Sequence, residues 1–223
     1  MSGKRAERLR ALLLREGLRL APAKLKAPRM ADLSTSSADH IGVLFREFGG
    51  MGVAERLRPG PWDFELASGV VVELDEQSHF TRYRGRTLQD AFSDGLPWAS
   101  TYRGLCRTQE AHALRHGGYW RNPSTDAMFG PSDAPGTFMG LGSSRWKQRA
   151  VYDAVKDAAA HDGLIRLARV SIYDVLAGVQ LGRVLEGNGA LEPGVLAAWI
   201  ASRTLGAPGK GSAAEPSAAS RLG

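Results

Sequence analysis

A single cysteine, Cys106, leaves this 223-residue chain without an internal disulfide, so packing and polar pairing must carry its stability. No run approaches the roughly 20 apolar residues that cross a bilayer, and no secretory-type apolar segment occurs near the start. A cytoplasmic protein with no membrane partner is therefore expected. No Walker-type spacing is present, because Gly140-Leu141-Gly142-Ser143-Ser144 lacks the phosphate-cradling pattern, and nucleotide hydrolysis is not supported. Acidic charge is scarce at one end only. Residues 1–30 hold nine Lys or Arg against Glu7 and Glu16, a surplus of seven, whereas the whole chain is +6, which leaves the remainder near minus one.

An apolar fraction of 43% is enough for one domain with a substantial core. Within residues 1–30, Leu9, Leu12, Leu13 and Leu20 follow a helical stripe among arginines, reading as a basic amphipathic helix that packs on the domain, lies along a phosphate backbone or serves as a targeting peptide. A second helix is expected over 38–48, with Ile41, Leu44, Phe45 and Phe48 on one side. Ser144 to Ala160 reads as a helix and Leu164 to Val170 as a strand. Helices are expected again over 172–185 and 193–205. Residues 206–223, rich in Ala, Ser, Gly and Pro, read as a disordered tail.

The most informative stretch runs from Pro61 to Arg84. Two short apolar segments meet at Ala67-Ser68-Gly69, and alternation along the second places Val70, Val72 and Leu74 on one face and Val71, Glu73 and Asp75 on the other. A hairpin brings Asp63 beside Glu73. Carboxylates so placed repel unless a proton or cation lies between them, and an oxygen-rich cluster suits Mg2+ or Mn2+.

At Asp63-Phe64, Val71-Val72-Glu73-Leu74-Asp75-Glu76 and His79 the chain resembles the PD-(D/E)xK nuclease superfamily, in the branch of very-short-patch-repair endonucleases and related bacterial proteins. The resemblance covers roughly residues 40–85, and extends to 145–171. It implies an α/β fold of restriction-endonuclease type, a mixed sheet flanked by helices, with residues 87–143 as a long insertion after the acidic strand and 31–205 as the domain. It implies further that Asp63 and Glu73 hold the metal, that Glu47 on the first core helix adds a ligand, and that His79 sits near the attacking water or scissile phosphate. Asp75 stands where the usual motif has its Lys, and Glu76 where it has Gly.

A replacement for that Lys is sought at Lys147 or Lys156. Lys147 is preferred, because with Arg145 it places positive charge in a helix's first turn, a conflict that a bound phosphate relieves. Asp75 reads as a further ligand or as the orienter of His79, whose ring can move protons near neutral pH. Arg82, Arg84 and Arg86, if extended, line one face with guanidinium groups; Arg82 and Arg84 are the expected phosphate contacts. Within the insertion, Trp98, Tyr102, Arg103, Arg107, Arg115, Tyr119, Trp120 and Arg121 are suited either to nucleic-acid contact or to core. Cys106, His112 and His116 offer zinc ligands without an evident fourth. The expected function is Mg2+-dependent endonucleolytic cleavage or nicking of DNA; the alternative is a nucleic-acid-binding module that kept the scaffold without the chemistry.

Overall fold

Six consecutive buried residues, Val70–Asp75, form a strand covered on both faces, which is why it reads as an almost continuous apolar run. The computed structural model describes residues 3–116 and 120–206. Its helices are α1 (Lys4–Arg15), α2 (Thr35–Glu47), α3 (Arg82–Arg86), α4 (Ala99–His116), α5 (Pro123–Phe129), α6 (Ser144–His161), α7 (Leu181–Glu186) and α8 (Val195–Arg203). Its strands are β1 (Phe64–Glu65), β2 (Val70–Asp75), β3 (Arg166–Ser171), β4 (Val175–Leu176), β5 (Val179–Gln180) and β6 (Thr204–Leu205).

The result is a mixed α/β architecture around a four-stranded mixed sheet of order β1-β2-β3-β6. β1 runs antiparallel to β2, β2 parallel to β3, and β6 antiparallel to β3. The parallel register sets Val71 beside Leu167, Glu73 beside Arg169 and Asp75 beside Ser171, so β3 extends the polar face of β2. On the opposite face Val70, Val72, Leu74, Ala168 and Val170 pack against Leu9 and Leu13 of α1 and residues of α7 and α8. The polar face is covered by α6, whose far side presents Ala150, Val151, Ala154, Val155 and Ala158 to Ile41, Leu44 and Phe45 of α2. Small residues along α6 allow that close layering.

Several elements differ from the sequence reading. Helix α1 ends at Arg15; the chain beyond it is extended, and Leu20 bridges Leu66 at the β1 edge. The expected helix over 172–185 is a β4–β5 hairpin followed by the short α7. Ala177 and Gly178 both take positive φ, 47° and 82°, and this left-handed pair reverses the chain. Arg82, Arg84 and Arg86 lie on a helix capped by Thr81 rather than on an extended segment, so they fan out instead of lining one face. Residues 87–143 carry α4 and α5, and Trp98, Tyr102 and Trp120 are core rather than contact surface. Tyr119 and, apart from Gly206, the expected tail over 206–223 lie outside the described residues.

The basic N-terminal helix is docked. Leu9 and Leu13 are fully buried, Arg5 bonds Glu76, Gln77 and Glu186, and Arg8 donates to the Leu185 carbonyl. Leu13→Ala is expected to destabilise the fold by roughly 2–5 kcal/mol in urea unfolding, a cavity cost that a helix lying free of the domain would not show.

Candidate functional site

The hairpin does bring Asp63 and Glu73 together. Phe64 pairs with Val72, and one step further along the antiparallel register Asp63 faces Glu73. The Asp63 amide donates to Glu73 Oε1 at 3.1 Å, and the Leu74 amide donates to Asp63 Oδ2 at 2.9 Å. Lys156, from α6, donates to Glu73 Oε2 at 2.7 Å and to the Pro61 carbonyl at 3.1 Å, with its ammonium 4.8 Å from the Trp62 ring centroid. Burial pushes the Glu73 carboxyl up to about 7, against the pull of Lys156 and with the help of Asp63. Asp63 is an exposed residue whose carboxyl turns inward, and the desolvation raises its pKa as well.

One step along the same face, Arg169 forms the centre of a buried network. Its guanidinium donates to both Asp75 oxygens at 2.9 and 3.1 Å, to Asp157 Oδ1 at 2.7 Å, and to the Asp153 carbonyl at 3.2 Å. Arg84 closes on Asp157 Oδ2 at 2.7 Å, and the Tyr102 hydroxyl donates to Asp75 Oδ2 at 2.8 Å. His79 Nδ1 lies 3.0 Å from Asp75 Oδ1 and 2.9 Å from Asp153 Oδ2. Burial works against its ionisation, yet His79 and Arg169 hold the Asp153 carboxyl well below the usual range. Because both neighbours of Nδ1 are carboxylate acceptors, Nδ1–H is the donor to them. The ligand atoms of Asp75, His79 and Asp153 lie within 4.8 Å of one another, a group that could hold a metal ion.

The other expected site residues fall elsewhere. Glu47 grips Arg86 with both oxygens at 2.7 Å, so its carboxylate is engaged at the surface rather than at Asp63 and Glu73. Arg84 cannot meet a phosphate from solvent, because its side chain is buried and spent on Asp157 and Thr87. Arg82 remains at the surface, paired with Glu110 and stacked 3.5 Å over the Phe138 ring. Lys147 packs its ammonium near the Tyr83 ring in the first turn of α6, and Lys156, nine residues further along, is the lysine that reaches Glu73. The Gly142 amide donates to Asp133 and the Ser144 amide to Ser132, so the protein's own side chains occupy that candidate anion nest. Cys106 is buried, its thiol pushed up to about 12 by desolvation, and His112 bonds the Tyr173 hydroxyl, so neither forms part of a zinc site. The side chain of His116 lies outside the described residues.

Asp153, Asp157 and Arg169 escape the sequence reading. A signal exists for the first two: Arg149, Asp153, Lys156 and Asp157 recur at helical spacing on an otherwise Ala/Val-rich helix. Such a charged stripe on a helix buried all round has to face a polar partner. Arg169 has no comparable signal, since one Arg inside an apolar strand reads equally well as an edge residue.

Arg169→Met leaves three buried carboxylates without their shared counter-charge and is expected to cost roughly 3–5 kcal/mol in chemical denaturation. A second expectation concerns pH. Between Glu73's ordinary value of 4.5 and its native value of about 7, the folded chain holds a proton that the unfolded chain has released. Stability therefore falls as pH rises through that window, by up to roughly 3 kcal/mol, and is flat in this respect above it. In EDTA-treated protein Glu73→Gln should flatten that segment of the curve; a variant curve parallel to that of the wild type would contradict the assignment.

Comparison with curated proteins returns no match, and comparison with solved structures returns none either. A family model does match, over residues 43–187, a span that includes every member of the cluster from Asp63 to Arg169. The chain thus belongs to a family of unknown function, DUF7255.

Proposed function

We propose that this chain is a metal-dependent nuclease that cleaves DNA phosphodiester bonds, built on a sheet of restriction-endonuclease type. The observation that carries this reading is the convergence of Asp63, Glu73, Lys156 and His79 on one face of the sheet, toward the end of β2. Asp63 and Glu73 are the two acids of the cluster whose pKa values burial raises, a desolvation that a bound cation would relieve. Their all-oxygen donor set fits Mg2+ or Mn2+, and these two residues would hold it. Asp75, His79 and Asp153 already have Arg169 and a shared imidazole proton between them, so they serve proton handling better than ligation. A bound divalent ion would supply phosphate polarisation and a lowered pKa for an attacking water.

The chain's own groups do the rest. His79, its Nδ1 proton held by Asp75 and Asp153, presents Nε2 as the proton acceptor for water. Lys156 takes the place of the motif lysine from the facing helix instead of from the strand, and its ammonium would place positive charge beside a developing oxyanion. Tyr102 and Arg169 hold the Asp75 carboxylate aimed at the imidazole.

The test is cleavage of supercoiled plasmid and branched DNA with Mg2+ or Mn2+. Asp63→Asn and Glu73→Gln are expected to abolish detectable cleavage, while His79→Ala should lower the rate by roughly 10²–10⁴-fold with DNA affinity retained. Full cleavage by Glu73→Gln protein would refute the metal assignment. Calorimetric binding of DNA without any uptake of Mn2+ would favour instead the non-catalytic nucleic-acid-binding module.

A further inference from the structure

Beside the acid cluster, α3 and α4 enclose a second concavity of about 380 Å3. Arg82, Arg103 and Arg107 line it against one carboxylate, Glu110. Arg82 is already bound to Glu110 through three contacts between 2.6 and 3.1 Å, so these two neutralise each other. Arg103 spends one nitrogen on the Leu88 carbonyl at 2.7 Å and touches Asp94 at 3.5 Å. Arg107 is exposed, and its guanidinium makes no hydrogen bond or ion pair among the described residues. The concavity is left with net positive charge and a guanidinium that has no partner among the described residues.

The floor is shaped for access. Gly85 faces Cys106, and a Cβ at Gly85 would sit 3.2 Å from the Cys106 Cβ, so α3 and α4 approach closely here because position 85 carries no side chain. The same helix that supplies Arg103 and Arg107 supplies Tyr102, which bonds Asp75, and Arg82 follows His79 by three residues. The concavity and the acid cluster are therefore carried by shared, rigid elements.

We infer that this α3–α4 concavity is a phosphate-binding subsite that holds the nucleic-acid backbone at a distance from the acid cluster. A guanidinium pair i, i+4 on one helix matches successive phosphate oxygens, and Glu110 fixes the Arg82 fork without consuming the other two. The inference rests on nucleic acid being the substrate, but not on cleavage.

The experiment measures affinity of a fluorescent DNA duplex for full-length Glu73→Gln protein across a salt series, with 5′-AMP and inorganic phosphate as separate competitors. Arg107→Ala is expected to weaken binding about fivefold to tenfold and to reduce the slope of log affinity against log salt by about one. Arg103→Gln combined with it should reduce the slope by about two. Arg10→Ala, on the exposed side of α1, should change neither quantity. Unchanged affinity and slope in Arg107→Ala, an equal effect from Arg10→Ala, or competition by 5′-AMP at the affinity of the duplex would each overturn the subsite. If the wild type fails to cleave while the Arg107 effect persists, the subsite stands and the catalytic reading falls. If the wild type cleaves and Arg107→Ala has no effect, the catalytic reading stands and the subsite falls. No binding of DNA at all removes both.

Discussion

The buried Arg169 guanidinium is the constraint on which the interior of this protein depends. Placing five carboxylates, Asp63, Glu73, Asp75, Asp153 and Asp157, between a sheet and a helix costs far more than apolar packing returns unless cations and hydrogen bonds compensate. Arg169, Arg84 and Lys156 do so from three different elements, and each reaches its partner within 2.9 Å. The network therefore locks α6 onto the sheet at a defined rotation and height. An apolar interface of the same area would hold the layers together with less control over where His79 points.

That control connects stability to chemistry. His79 is held by two carboxylates that are themselves held by Arg169 and Tyr102, so its ring orientation is inherited from the core. The Asp63–Glu73 pair, by contrast, is under-compensated: Lys156, Arg169 and His79 draw its pKa values down, yet desolvation outweighs them and both are raised. A saturated half beside an unsaturated half is the pattern expected where one part of a cluster positions and the other awaits a charged partner.

Much of this is legible in the chain. The alternation Val70 to Asp75 correctly assigns both faces of β2, and the apolar spacing of Ile41, Leu44 and Phe45 correctly gives the buried side of α2. The opposition of Asp63 and Glu73 follows from the Ala67-Ser68-Gly69 turn. Arg84 and Glu47 mislead for one reason: an arginine or glutamate shows its charge in the sequence but not its partner. Asp157 lies 73 residues from Arg84, and Arg86 lies 39 residues from Glu47. The 172–185 segment misleads because its apolar spacing suits a helix, and only the left-handed Ala177-Gly178 pair reveals the hairpin.

The sequence by itself determined the acidic strand, the turn that folds Asp63 against it, and the helical period that buries α1, α2 and α6. These are local patterns, set by alternation, turn chemistry and side-chain volume over a few residues. Tertiary structure alone decided which cation meets which acid: that Lys156 rather than Lys147 reaches Glu73, that Arg169 binds Asp75, Asp153 and Asp157 together, and that Arg107 is left without a partner among the described residues. Such pairings are long-range, and charges of like type are interchangeable on paper until the packing of α6 and α4 on the sheet fixes their distances.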